Sequence, residues 1–271
     1  MSIKNIINLK SSVMKRISLV ILVMSLLMSS CFKDIFCVRG NGIIETQFRS
    51  IPDFSEVENS TSVNVIYKRA DSVSLAITAE SNLIGYIVTQ AVNDKLEIKT
   101  SSGGSCLDFN QQPVIIITSP DLNNIILSGS GDFNADTLSG NSAGILITGS
   151  GDVNTGVVLC ENLIIKVTGS GDTQISNASC QNPDLTISGS GDISIKGNAN
   201  AGQFVISGSG NINSGEFRVN SANETISGSG NIFTSVMNTL NAVISGSGNI
   251  YLKGDPTINQ IISGSGRIIK Y

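Results

Sequence analysis

Apolar and polar positions repeat through the second half of this chain with a step close to twenty residues. The marker is Gly-Ser-Gly, which begins at Gly129, Gly149, Gly169, Gly189, Gly208, Gly228, Gly246 and Gly264, so the steps are 20, 20, 20, 19, 20, 18 and 18 residues. Two positions before each marker stand Leu127, Ile147, Val167, Ile187, Ile206, Ile226, Ile244 and Ile262. Four positions after its first glycine stand Phe133, Val153, Thr173, Ile193, Ile212, Ile232, Ile250 and Ile268. The two columns share a parity, so on extended chain their side chains face one interior. The Ser or Thr before each marker faces the other way. Alternation with β-branched residues is a strand pattern.

A fixed period of this size means one supersecondary unit stacked on itself. The pattern predicts an all-β protein, a parallel β-solenoid with 18–20 residues per coil. Coils would lie about 4.8 Å apart and stack the Ile and Val columns into a dry core. No α-helix of ordinary length fits between the turns, which excludes βαβ units. An antiparallel stack of hairpins is the alternative. The turn glycines are Gly129, Gly131, Gly149, Gly151, Gly169, Gly171, Gly189, Gly191, Gly208, Gly210, Gly228, Gly230, Gly246, Gly248, Gly264 and Gly266. They are expected where a tight bend calls for φ > 0.

The repeats occupy residues 119–271, and residues 40–118 form a less regular β region. There, Val63–Tyr67, Ser74–Ile77 and Leu96–Lys99 read as short strands, and Ser81–Ile87 is ambiguous. The phrase Asn59-Ser60-Thr61-Ser62-Val63-Asn64-Val65 reads as a degraded copy of the later turn. This region is expected to be an irregular cap on the N-terminal end, since open strand edges template aggregation. Arg267, Lys270 and Tyr271 make the last coil more charged, either a second cap or a surface for end-to-end self-association.

Residues 1–30 read as a signal peptide. Lys10, Lys15 and Arg16 precede an apolar run from Ile17 to Met28, too short to span a bilayer comfortably. The run ends in Met28-Ser29-Ser30-Cys31, which resembles a bacterial lipoprotein signal. Cys31 would then be lipidated and head the mature chain, with residues 31–39 as a tether and Met14 as the true start. A non-lipidated signal peptide is the alternative. The expected location is the cell envelope, as an outer-membrane lipoprotein whose lipid makes the membrane a partner. Export implies an oxidising compartment, which makes Cys37, Cys106, Cys160 and Cys180 disulfide candidates. Cys37 and Cys106 would close a loop. Cys160 and Cys180, twenty apart at one phase of adjacent coils, are either a bridge or two buried thiols.

The chain has no His, so Ser-His-Asp, Cys-His and histidine–metal chemistry are excluded. A net charge of −4 without a basic cluster argues against a nucleic-acid partner. Gly140-Asn141-Ser142-Ala143-Gly144 matches a nucleophile elbow by chance and lacks a base. No cofactor is implied. Behind the turns stand Asp132, Asp152, Asp172 and Asp192, then Asn211, Asn231 and Asn249, then Arg267. Stacked carboxylates would repel by about 1 kcal/mol each in water-like dielectric. Solvent and turn amides are expected to relieve this. A weaker candidate is calcium bridging Asp132, Asp152, Asp172 and Asp192. The Asn residues are expected to bond up and down the stack. A β-helix polysaccharide lyase or hydrolase is the enzyme alternative. Such sites join unlike residues to an aromatic sugar platform, and neither is visible in the repeats.

The run Gly40-Asn41-Gly42-Ile43-Ile44-Glu45-Thr46-Gln47-Phe48-Arg49, then Phe54-Ser55-Glu56-Val57, resembles the start of the DUF2807 family, the auto-transporter adhesin head or GIN domain. So do Ile115–Leu122 and the Gly-Asn-Ile triplets at Gly210, Gly230 and Gly248. The resemblance covers about residues 40–271 and implies an exported β-solenoid lipoprotein of the Bacteroidetes type. Its implied role is adhesion or binding of an unidentified glycan or protein, without catalysis. A structural or envelope-signalling role is the further alternative.

Overall fold

The computed structural model describes residues 37–101 and 106–271. Apart from one 3-10 turn at Ile84–Tyr86, their regular elements are β-strands. The coils stack in parallel, about seven turns of a β-solenoid. One wall carries Asn124–Leu127, Ser142–Ile147, Asn162–Val167 and Asn182–Ile187, each paired with the strand one coil on. The facing wall carries Phe133–Ser139, Val153–Leu159 and Thr173–Ser179 in the same manner. From residue 193 the two strands of a coil fuse into long bent strands, Ile193–Ile206, Ile212–Ile226 and Ile232–Ile244. Their first halves continue one wall and their second halves the other.

This register stacks Ile147 on Val167 and Val167 on Ile187, all fully buried. Each such side chain contributes about 1.5–3 kcal/mol relative to an exposed one. The column breaks at a few polar positions: Thr155, Thr173 and Thr234 point inward with hydroxyls that lack partners.

The turn glycines have a different cause from the one their sequence suggests. None of the sixteen has positive φ; among the described residues the glycines that do are Gly42, Gly140, Gly197 and Gly254. What excludes a side chain is the coil before. A Cβ at Gly149 would overlap the carbonyl oxygen of Gly129, one at Gly169 that of Gly149, and so on to Gly264 on Gly246. The second glycines meet the preceding coil in the same way, Gly151 against Gly131 and Gly266 against Gly248. The turn backbones themselves hydrogen-bond between coils, as when Ser170 N donates to Gly149 O at 3.0 Å. Close backbone approach, not left-handed conformation, therefore fixes Gly-Ser-Gly.

The first coil illustrates the rule. Glu56–Asn59 and Asn64–Arg69 pair in register with Asn124–Leu127 and Phe133–Ser139. Thr61 and Val63 thus stand where the next coil has Gly129 and Gly131, and their carbonyls receive Ser130 N and a would-be Gly131 Cβ. No Gly-Ser-Gly turn lies beneath them, so side chains are tolerated. The regular stack accordingly begins at Glu56, ahead of residue 119.

Beyond that coil the N-terminal end is closed by antiparallel strands. Ile44–Arg49 pairs with Ser74–Glu80, which pairs with Val114–Ser119, and Ile87–Val92 pairs with Lys95–Thr100. A buried carboxylate pins the cap. Glu80 accepts from Gly42 N at 2.6 Å, Asn110 N at 2.9 Å and Asn110 Nδ2 at 2.7 Å. The Asn110 side chain, with the Gly42 and Asn110 amides, holds this carboxyl below its usual range. Gly40 packs so tightly on it that a Cβ would strike the carboxylate.

Candidate functional site

The residues behind the turns form one continuous ladder. Each side-chain oxygen accepts the backbone N–H of its equivalent one coil on. Asp132 Oδ1 takes Asp152 N at 3.1 Å, and Asp152 Oδ1 takes Asp172 N at 2.8 Å. Asp172 serves Asp192 at 2.8 Å, and Asp192 serves Asn211 at 2.6 Å. Asn211, Asn231 and Asn249 continue to Arg267 N. Asn64 begins the series by accepting from Asp132 N at 2.8 Å. Asp and Asn are interchangeable in this role because both present Oδ1. The calcium candidates Asp132, Asp152, Asp172 and Asp192 each cap the backbone of the following coil with one oxygen. Among the described residues no three His, Cys, Asp or Glu side chains gather to hold a metal ion.

Of the sequence candidates, Cys31 lies outside the described residues. Cys37 and Cys106 are disulfide-bonded, and beside them Val38–Arg39 pairs with Leu107–Asp108. Cys160 and Cys180 are both thiols and lie side by side on adjacent coils, next to the Leu159–Ser179 pair. That contact and burial push the Cys180 thiol up.

Two features escape a motif-centred reading. The first is Glu224, whose equivalents are Ile125, Ile145, Ile165, Leu185, Phe204 and Ala242. It pairs in register with Phe204 and Ala242 and is 1% exposed. Neither carboxyl oxygen has a hydrogen-bond partner. Burial raises its pKa to about 8; the Thr234 hydroxyl, facing it without hydrogen-bond geometry, offsets part of this. At neutral pH the group is mostly a protonated acid inside an apolar stack.

The second is a groove of about 400 Å³ on the outer side of one wall. Its axis follows an outward column, in which Gln174, Ser194, Asn213, Phe233 and Tyr251 occupy successive coils in register. Phe233 and Tyr251 stack with centroids 4.6 Å apart and planes 7° from parallel. Tyr251 covers one face of Phe233; on its other side Phe233 walls the groove, over Asn213 and Ser194. The Lys196–Glu216 ion pair, 2.9 Å between charged atoms, flanks it. The concavity has a backbone cause. Ser214 pairs with Thr234 but the next pair is Arg218 with Ser235, so Gly215, Glu216 and Phe217 have no counterpart on the following strand. An aromatic platform beside unlike polar groups is thus present, contrary to the expectation from the repeats. Aligning the chain one position further past the turns, at Asn134, Asn154, Gln174, Ser194, Asn213, Phe233 and Tyr251, would have revealed the column.

Solved structures share this architecture. A "Putative lipid binding protein" from Parabacteroides distasonis is 29% identical with a TM-score of 0.80, over 86% of this chain and 99% of that one. A "putative adhesin" from Parabacteroides merdae is 25% identical with a TM-score of 0.79, over 86% and 98%. A second Parabacteroides distasonis "putative adhesin", 24% identical with a TM-score of 0.77 over 86% and 99%, shares the fold. No curated protein matches the chain significantly. The DUF2807 family model, described as "Putative auto-transporter adhesin, head GIN domain", matches residues 53–256, three quarters of the length, and with the stacked coils and their Gly-Ser-Gly turns it makes this chain a member of that family.

Proposed function

We propose that this protein is exported, anchored through a lipid on Cys31 to the outer membrane of the cell envelope, and acts there as a non-catalytic binding scaffold in adhesion. The observation that carries the reading is the distribution of chemistry: polar groups such as the Asp and Asn ladder run along the whole stack over an apolar core, which suits an extended contact surface. Membership of an adhesin-type family supports it. The Cys37–Cys106 disulfide supports an oxidising compartment. Anchoring would set the capped end toward the membrane, because Cys37 follows Cys31 by six residues, about 20 Å of extended chain. Phe48, Ala76, Ile116 and Ile66 make an outward apolar row at that end, with Phe48 80% exposed.

Palmitate labelling and globomycin treatment of cells expressing the wild type and Cys31→Ala test the anchor. Label and a globomycin-sensitive precursor are expected only for the wild type; equal mobility and labelling of the two refute anchoring. Protease shaving of intact cells, with adhesion of wild-type and deletion strains to epithelial cells and to other bacteria, tests the role. Full protection from protease together with unchanged adhesion of the deletion strain refutes it.

A further inference from the structure

We propose that the groove walled by Phe233 is a carbohydrate subsite, in which one pyranose ring of a glycan stacks on the free face of Phe233. This deepens the binding role proposed above and rests on it. The geometry supplies what a sugar needs and little that anything else does. A pyranose presents an apolar C–H face and a rim of hydroxyls. The phenyl ring offers a flat, weakly negative surface for the first. It is held rigid from behind by Tyr251, stacked at 4.6 Å, so ordering it on binding costs little. Asn213 and Ser194, one and two coils before Phe233 in the same column, carry short polar side chains, and all three line the groove, so the ring stands beside open volume instead of a further aromatic.

The hydroxyl rim meets matching groups. Gln174 and Asn213 bring amides that both donate and accept, and Ser194 brings a hydroxyl. Asn213 Nδ2 is engaged only by a long 3.4 Å contact with Ser194 Oγ, so it is available to a ligand. Lys196 and Glu216, more than half exposed, can turn from each other toward sugar hydroxyls at small cost. An apolar peptide side chain in the same place would strand these amides, at about 1–3 kcal/mol for each one buried unpaired. A nucleotide would bring phosphates to a chain of net charge −4. The volume of about 400 Å³ is at the small end of ligand pockets, which suits one or two sugar units.

The test is binding of the full-length chain, purified in detergent, to a printed array of bacterial and mammalian glycans, with the strongest hits measured as free oligosaccharides by saturation-transfer NMR. Phe233→Ala should lose at least tenfold in affinity and Phe233→Tyr should retain it. Asn213→Phe provides a variant that removes nothing from the core: its ring continues the Phe233–Tyr251 stack into the groove, and it should block binding equally. Circular dichroism confirms that each variant keeps its strands. Glycan binding that survives both Phe233→Ala and Asn213→Phe overturns the subsite. So does a wild type that adheres to cells but retains no glycan, or whose adhesion is competed only by a peptide; the binding role would then stand without the sugar. Loss of adhesion and of glycan binding in the wild type would remove both.

Discussion

Replacing Glu224 should change how stability depends on pH, and the window is unusually clean. Glu224 is 1% exposed, has no hydrogen-bond partner and titrates near 8 instead of 4.5. Its folded-state pKa is raised, so the native state holds a proton that the unfolded chain releases. Stability from this group is therefore complete below pH 4.5, declines between 4.5 and about 8, and is gone above. A displacement of 3.5 units (8 less 4.5) at about 1.4 kcal/mol per unit amounts to about 5 kcal/mol across that interval. The chain has no His, so between the ordinary carboxylates and the thiols scarcely anything else titrates. Urea unfolding of the wild type, Glu224→Gln and Glu224→Leu at pH 5, 7 and 9 measures the effect. The wild type should lose most of this stability from pH 5 to pH 9, and Glu224→Gln should be nearly flat. Glu224→Leu, which restores the apolar column of Leu185 and Phe204, should be the most stable of the three at pH 9. Parallel pH profiles for the wild type and Glu224→Gln would refute the reasoning.

Three other outcomes follow from the stacked geometry. Gly169→Ala sets a Cβ against the Gly149 carbonyl, backbone that cannot turn aside, and should cost more than about 3 kcal/mol or prevent folding; Gly85→Ala, with open space around it, should be neutral or stabilise by up to about 1 kcal/mol, and equal melting temperatures for the two would contradict the packing rule. Asp172→Ala removes the acceptor for Asp192 N and should cost about 1 kcal/mol, whereas Asp172→Asn keeps Oδ1 and should cost nothing; melts in EDTA and in calcium chloride should coincide, and a calcium-dependent rise would establish calcium bridging instead. Intact-mass alkylation without reductant should find Cys37 and Cys106 blocked and Cys160 and Cys180 modified after unfolding, since burial and the thiol contact make Cys180 a poor nucleophile; four blocked cysteines would show that the adjacent-coil pair is bridged.

The sequence by itself determined the parallel stack. The spacing of Gly-Ser-Gly and the two apolar columns are local properties repeated eight times, and repetition leaves one economical way to bury them. It also located the Asp and Asn ladder, because a register of about twenty residues brings equivalent positions together whatever their chemistry. Tertiary structure decided what those positions do. That the glycines answer to the carbonyl of the coil before, instead of to positive φ, is a contact between residues twenty apart and leaves no mark on a single turn. Glu80 meets Gly42 and Asn110 across long separations through the antiparallel cap, where no repeat fixes the register. The groove depends on three residues, Gly215 to Phe217, that slip out of pairing, a departure from the repeat that only the neighbouring strand makes visible. A periodic sequence specifies its average coil strongly; the sites where coils differ are set by how each one packs on the next.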